Sequence, residues 1–365
     1  MWFQLLNRPE RAAATYLRAT EIAPKNGNVW LDVGTAYLQL VENDARIMTS
    51  GYGHSAYVLL RGAEILANEG QLNVAENSYK AAIVFSPPLA CAHAEYGITL
   101  LRLSRVPDAE VQFHLEEESG SHCGLARLGM AMISVVQGHS GVGFEELAGL
   151  AAADVGFVQS TLPLVEDAIS PEQARSLAEM AHQRQGTSDR SVDLAPLVEA
   201  AFTSGGLAPS TVFSQDPTVR TRRDPAPASA AGFYAAGEYA RCAQSLALAL
   251  TGLSATQQSL LASCSFYTGD FRITSLAAAR LKLSPATRLE GLYWESKAGE
   301  KLAIAALTHA GELEPDSPRM HVLIGDIFRQ RRRWSEAEAD IEERSVSTRR
   351  AARPASAWEL YCSLN

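Results

Sequence analysis

The sequence has few cysteines, and their spacing fits neither a metal site nor a redox motif. Its 365 residues contain five of them, Cys91, Cys123, Cys242, Cys264 and Cys362. No two stand in a C-x2-C spacing, and an odd number cannot all pair within one chain. We therefore expect free cysteines that act as small buried hydrophobic side chains in a reducing compartment.

Long apolar runs and an excess of positive charge are also missing. No apolar run approaches the roughly 20 residues of a membrane-spanning helix, and residues 1–6 lack the basic start of a secretory signal. The net charge of −9 argues against nucleic acid, which favours a basic surface. We expect no membrane and no nucleic-acid partner, and a cytoplasmic location by default.

No motif for catalysis or cofactor binding is complete. The stretch Gly138–Gly141 resembles a nucleophile elbow, but Val142 replaces the last glycine of G-x-S-x-G, and a turn between helices explains the stretch better. His93, His114 and His122 lack the spacing of a zinc site. We expect no enzyme activity, no cofactor and no metal.

Two charged runs are interpreted as solvated surface. Glu116-Glu117-Glu118 ends a predicted helix, and residues 329–353 carry a basic cluster that includes Arg331-Arg332-Arg333. A basic patch can bind phosphate or an acidic peptide, but a charged turn next to a solvated helix face is the simpler interpretation.

The sequence does contain a pattern that recurs at a fixed distance. Residues Trp30–Tyr37 read W-x2-[LV]-G-x2-Y, and the pattern A-x3-[YF] recurs downstream. The interval from Ala75 to Ala109 equals the interval from Tyr79 to Phe113. Apolar residues at positions i, i+4 and i+7 lie on one face of a helix. Each recurrence therefore predicts a pair of helices.

The C-terminal part carries the same interval, from Gly291 to Gly325 and from Ala303 to Ala337. Gly291 and Trp294 are assigned to a first helix, and Ala303 to a second. The predicted helix starts are Ser284-Pro285 and Ser317-Pro318, each an N-cap followed by proline. The predicted turns between paired helices are Gly237-Glu238 and Gly269-Asp270.

Two places interrupt this rhythm. A long first helix is predicted from Asn28 to about Ile47, followed by a loop through residues 50–53. Ser170 and Gln173 form a capping-box pattern that predicts a helix to about residue 185, and a second helix is predicted over 191–202. From 203 to 229 the composition of Gly, Ser, Thr and Pro predicts a linker.

These motifs and their common interval resemble the tetratricopeptide repeat family, whose period is about 34 residues. The resemblance implies an all-α fold in which antiparallel helix pairs stack into a right-handed superhelix. It implies an N-terminal array over 1–154, a partly helical insertion over 155–230, a C-terminal array over 231–345 and an irregular tail over 346–365. Because the chain starts inside a repeat, a fragment with a truncated N-terminus remains open.

The resemblance also implies a function. In this family the first helices line a concave groove that holds a peptide or partner protein, so the chain is expected to be a non-enzymatic scaffold. The positions that match the family's groove positions are Asp32, Thr35, Arg61, Glu64, Glu95, Ile98, Arg102, Arg127, Met130, Asp326 and Arg329. The Lys and Asn with which one branch of the family clamps a terminal carboxylate are absent, which argues against a receptor for chaperone tails.

Two alternatives stay open at this point. The chain could be the accessory arm of a transferase or peptidase whose catalytic domain is absent, or an RNA-binding helical repeat, which its acidic charge disfavours. The sequence does not determine the partner, the oligomeric state, the role of 155–230 or whether the two arrays are continuous.

Overall fold

A computed structural model describes residues 9–86, 88–184, 193–203, 229–247 and 252–323, and every regular element in these ranges is helical. The predicted all-α class is therefore confirmed. In chain order the α-helices are α1 Pro9–Ile22, α2 Gly27–Tyr52, α3 Ala56–Asn68, α4 Leu72–Ile83, α5 Ala92–Arg102, α6 Val106–Glu118, α7 Gly124–Val136, α8 Ser140–Ala153, α9 Val155–Thr161, α10 Pro171–Arg184, α11 Ala195–Thr203, α12 Ala230–Ala235, α13 Tyr239–Ala247, α14 Ala255–Tyr267, α15 Phe271–Leu281 and α16 Arg288–Leu313. A 3₁₀ helix spans Leu162–Ala168.

Side-chain caps define where several of these helices begin. The hydroxyl of Ser55 accepts a hydrogen bond from the Val58 amide at the start of α3. Ser170 and Gln173 form the predicted capping box, with the Ser170 amide donating to Oε1 of Gln173 and the Gln173 amide donating to Oγ of Ser170. Such caps satisfy amide groups that have no partner inside the helix.

The chain separates by its internal contacts into two compact units, residues 1–40 with 300–365 and residues 41–299. These units do not follow the predicted segments 1–154, 155–230 and 231–345, which remain predictions about the repeat arrays. In the first unit, Gly34 of α2 leaves room for the side chain of Leu307 in α16. Glu314 closes the start of α2, where its carboxylate accepts from the Gly27 amide and from Nδ2 of Asn28.

In the unit 41–299, helices pack in consecutive pairs: α3 with α4, α5 with α6, α7 with α8, α12 with α13 and α14 with α15. The same turn joins the two helices in each of these pairs. Its central residue has a positive φ in all five cases: Gly70, Ser104, Gly138, Gly237 and Gly269.

The turn after α3 shows the hydrogen bonds that all five share. The Gly70 amide donates to the Ala67 carbonyl, and the Gln71 amide donates to the Leu66 carbonyl. This is a Schellman motif, which satisfies the free carbonyls at a helix end. The predicted turns at 138, 237 and 269 are confirmed.

The first three of these turns are evenly spaced, with their central residues at positions 70, 104 and 138. Each step equals the interval that separates Ala75 from Ala109, so the period seen in the sequence is also a period of the backbone. Ser104 forms the same turn although it is not glycine. The hydrogen bonds of the turn therefore hold a positive φ even without the conformational freedom of glycine.

Phe113 sits at the centre of the packing between neighbouring pairs and is fully buried. A methyl group added to Gly97 of α5 would lie 2.5 Å from Cε1 of Phe113, and one added to Gly129 of α7 would overlap its Cζ. The aromatic ring of one second helix therefore occupies space that glycine leaves open on two successive first helices.

Two predicted elements differ from the structure in kind. Helix α2 continues through Ser50 and Gly51 to Tyr52, so the predicted loop over 50–53 is wrong over most of its length. The predicted helix pair with Trp294 in its first helix and Ala303 in its second is one continuous helix, α16. Lys297, which lies between these residues, is buried in a charge cluster described below.

The start of α16 also differs, because it begins at Arg288 rather than at Pro285. A helix does begin at Pro318 as predicted, and α10 and α11 lie close to their predicted bounds. Predictions for 204–228 and for the basic stretch 329–353 lie outside the described residues.

The expectation of free cysteines is wrong for four of the five. Cys91 is joined to Cys123 and Cys242 to Cys264 by disulfide bonds. The partners are 32 and 22 residues apart, and helix packing brings them together in a way that sequence spacing does not reveal. Cys362 lies outside the described residues.

The interpretation of Glu116 as a solvated residue is also wrong. Glu116 is buried, and its carboxylate accepts from the amides of Cys91 and Ala94 at the start of α5. A carboxylate is favoured there because the amides at a helix start carry partial positive charge. Glu117 and Glu118 are exposed as predicted. Within the described ranges, no helix is long and apolar enough to cross a membrane.

Candidate functional site

Three residues of the predicted groove meet at one buried point in the unit 41–299. Arg61 and Glu64 lie one helical turn apart on α3, and Glu95 lies on α5, the next first helix. Glu64 and Glu95 pair with Lys297 of α16, and Arg61 contacts Glu64 and Ser296. We call Arg61, Glu64, Glu95 and Lys297 the buried charge cluster, and each of their side chains is at most 10% exposed.

Lys297 is the centre of this cluster. Its Nζ lies 2.5 Å from Oε1 of Glu64 and 3.0 Å from Oε1 of Glu95, and it donates to the hydroxyl of Tyr293 at 3.0 Å. The same nitrogen lies 4.9 Å from the ring centre of Phe266, close enough for a cation–π contact. The ammonium group therefore has both charged and aromatic partners.

Arg61 ties the cluster to Ser296 of α16. Its Nε donates to Oγ of Ser296 at 3.0 Å, and its Nη1 lies 3.2 Å from Oε2 of Glu64. Glu64 also accepts from the hydroxyl of Tyr293. Glu64 is therefore held by a guanidinium, an ammonium and a phenol, and the face of α3 that carries it is closed by α16.

The two carboxyl groups have different electrostatic surroundings. Burial raises the pKa of Glu64, but the charges of Lys297 and Arg61 outweigh burial, so its pKa is lowered. Burial and the nearby charge of Glu64 hold the pKa of Glu95 well above its usual value, although Lys297 opposes them. Burial lowers the pKa of Lys297, yet the two glutamates more than compensate and its pKa is raised.

This arrangement is suited to holding structure together. Moving charges out of water is costly, and the cost is offset only where each charge has close partners. Every member of the cluster has one, and residues 291–299 of α16 are buried without interruption. The cluster therefore joins α3, α5 and α16 as part of the core.

Arg102 and Ile98, two further residues of the predicted groove, also make contacts within the unit 41–299. Nη1 of Arg102 donates to the Ala67 carbonyl, and Nη2 lies 2.9 Å from a carboxylate oxygen of Asp167 in the 3₁₀ helix. Ile98 is buried in the hydrophobic core. The 3₁₀ helix packs on α5 and α7, so residues of the predicted insertion cover first helices of the array.

Arg127 is the predicted residue that remains accessible. It is exposed and forms no hydrogen bond or ion pair with the described part of the chain. It borders a cleft of about 260 Å³ whose lining residues are Glu117, His122, Cys123, Gly124, Arg127, Ala235 and Gly237. Met130, one turn further along α7, is half-buried against the core.

The remaining predicted residues lie in the other unit or beyond the described ranges. A carboxylate oxygen of Asp32 lies 2.5 Å from Nη2 of Arg319, and the hydroxyl of Thr35 donates to the Leu31 carbonyl. Asp326 and Arg329 lie outside the described residues. The structure thus brings together Arg61, Glu64 and Glu95 and leaves Arg127 at the surface.

Sequence reasoning missed Lys297, although this residue organises the cluster. Lys297 lies in a helix that also carries Glu295, Glu300 and Lys301, and no feature in the sequence marks it as the buried lysine. The one usable signal is the aromatic pair Tyr293-Trp294 one turn before it, because adjacent large aromatics are unfavourable on a solvated face.

The chain matches no model of a known protein family, and a search of curated proteins finds no significant match. The resemblance to tetratricopeptide repeats therefore depends on the residues and spacings of the chain itself.

Proposed function

We propose that the chain is a non-enzymatic scaffold of the tetratricopeptide type, which binds a partner protein or peptide. The observation that supports it best is the identical turn that joins α3 to α4, α5 to α6 and α7 to α8 at equal intervals along the chain. Helix pairs that recur in this way stack side by side and present extended surfaces to partners. In this proposal the pairs form a right-handed superhelix.

The binding surface in this proposal is the exposed part of α7 with its cleft. Arg61, Glu64 and Glu95 are buried in the charge cluster, so a partner reaches them only if the core opens. Arg127 is exposed and has no ion-pair partner among the described residues, and a half-buried apolar side chain, Met130, lies one turn away. A guanidinium beside an apolar group suits a peptide with an acidic group and an apolar anchor.

Photo-crosslinking in cells tests this proposal. A photoreactive amino acid at position 130 should capture a partner, and Arg127→Glu should abolish the capture by reversing the charge at the cleft. Arg175→Glu, an equal charge change on exposed α10, should leave it intact. Equal capture with both charge variants, or none from any exposed position on α7, would contradict the proposal.

The location of the chain is a separate matter. A cytoplasmic location was expected by default, because the sequence shows no secretory signal and no membrane span, and the free cysteines that were also expected fitted a reducing compartment. The disulfides remove the last of these reasons, since disulfides persist mainly in oxidising compartments. We therefore do not retain the cytoplasm in the proposed function.

A further inference from the structure

We propose that the two disulfides are covalent staples between neighbouring helix pairs, and that the chain acquires them in a compartment that oxidises thiols. The inference is independent of the proposed partner binding. It depends on where the four cysteines lie, how deeply they are buried and which elements they connect.

Both bonds connect one helix pair to the next. Cys91 immediately precedes α5 and Cys123 immediately precedes α7, so this bond joins the starts of two successive first helices. Cys242 lies in α13 and Cys264 in α14, so the second bond joins a second helix to the following first helix. Neither bond lies within a pair.

That placement matters because the interfaces between pairs are the weak points of a repeat array. Each pair contacts its neighbours, and stability is approximately the sum of pair and interface contributions. A bond across an interface restricts the unfolded chain at the point where the array would otherwise separate. The bond between Cys91 and Cys123 staples the pair α5–α6 to the pair α7–α8. The bond between Cys242 and Cys264 staples the pair α12–α13 to the pair α14–α15.

The surroundings fit permanent bonds better than transient ones. The Cα atoms of the two pairs are 5.3 and 6.0 Å apart, within the ordinary range for disulfides. All four cysteines are at most 3% exposed. Buried bonds are protected from reductants as long as the protein stays folded, whereas regulatory disulfides are usually exposed.

Formation of each bond is a two-electron oxidation. Two S–H bonds of the chain break and an S–S bond forms, and the two electrons and two protons pass to the oxidant, whose own S–S bond breaks. The oxidant in this proposal is the active-site disulfide of a thiol–disulfide oxidoreductase, which leaves as a dithiol. Two such exchanges form both disulfides.

The first test counts thiols in the full chain. Protein produced in the oxidising compartment of a host, and in its reducing cytoplasm, is unfolded in guanidinium without reductant and alkylated with N-ethylmaleimide. Intact mass should show one alkylated cysteine in the first sample and five in the second, and peptide mapping should join 91 to 123 and 242 to 264. Three or five alkylated cysteines in the first sample, or other linkages, would overturn the proposal.

The second test asks whether the bonds act as staples. Wild-type chain is unfolded, reduced with dithiothreitol and refolded in its presence. Its thermal midpoint should be about 5–15 °C below that of the chain with both disulfides intact. Cys91→Ala with Cys123→Ala, and Cys242→Ala with Cys264→Ala, should each reproduce part of this shift, whereas Cys362→Ala should not change the midpoint. Bonds that form but leave the midpoint insensitive to reductant would refute the staple role.

Discussion

Phe113 and Gly129 fit together across the interface between two helix pairs, because a methyl group on Gly129 would overlap Cζ of Phe113. The two residues come from the second helix of one pair and the first helix of the next. The sequence predicts the helix to which each belongs, but it does not predict the contact between them. The first prediction concerns this contact.

Gly129→Ala should destabilise the chain by about 1–3 kcal/mol, because the buried ring of Phe113 has no free space into which to move. Gly149→Ala is the control: Gly149 lies on α8 with no atom near enough to meet an added methyl group. Alanine there should be neutral or stabilising by up to about 1 kcal/mol. Urea denaturation followed by circular dichroism measures both, and equal effects would contradict this packing.

Lys297→Met should cost about 3–5 kcal/mol, because it leaves Glu64 and Glu95 buried without their ammonium partner. Lys80→Met removes an ammonium group that pairs with Glu76 but is 55% exposed, and it should cost less than about 1 kcal/mol. The comparison uses the free energy of unfolding at neutral pH. A small loss for Lys297→Met would show that the cluster does not hold the core together.

Glu64→Gln and Glu95→Gln should respond to pH in opposite ways. The lowered pKa of Glu64 gives stability that is present above its unfolded value and lost as the pH falls. The deficit of Glu64→Gln should therefore be largest near pH 7 and shrink towards pH 4.

The raised pKa of Glu95 means that the folded chain keeps a proton that the unfolded chain releases, so its contribution is lost as the pH rises above about 4.3. The stability of Glu95→Gln relative to the wild type should therefore improve from pH 4.5 to pH 8. Urea midpoints at these two pH values are sufficient. If the relative stability of both variants changes with pH in the same direction, the pKa values of Glu64 and Glu95 are not shifted in opposite directions.

In the unit formed by residues 1–40 and 300–365, Gly34→Ala should cost about 1–3 kcal/mol, because the added methyl group would lie 2.5 Å from Cγ of Leu307. Leu307→Ala opens space at the same point, so the double variant should lose less than the sum of the two single losses. Gly311→Ala, where an added methyl group meets nothing, is the control. Strict additivity of the first two substitutions would exclude the contact.

Local features of the fold could be predicted because they depend on neighbours in sequence. The capping box at Ser170 and the turns at Gly138, Gly237 and Gly269 follow from residue types within one helical turn. Ser104 adopts the same turn without the glycine that marks the others, so its local signal is weaker. No turn forms between Trp294 and Ala303, where Gly299 lies inside α16, so a glycine at this spacing does not by itself end a helix.

The candidate site residues came from the resemblance, whose groove positions match Arg61, Glu64 and Glu95. The structure brings these three side chains together in the core, and their role in a groove stays a prediction. What covers these side chains depends on Lys297, which is 202 residues away from Glu95 in sequence. The cysteine pairs are likewise contacts between neighbouring helix pairs, for which the chain gives no local pattern.

The buried position of Lys297 also bears on how the protein can be dissected. Repeat proteins are usually modular, so that terminal repeats can be deleted and the rest still folds. Here the buried glutamates of two N-terminal pairs, Glu64 and Glu95, contact Lys297, which lies near the other end of the unit 41–299. A fragment that stops before α16 would leave Glu64 and Glu95 without Lys297, so the unit 41–299 should fold only when it is expressed whole.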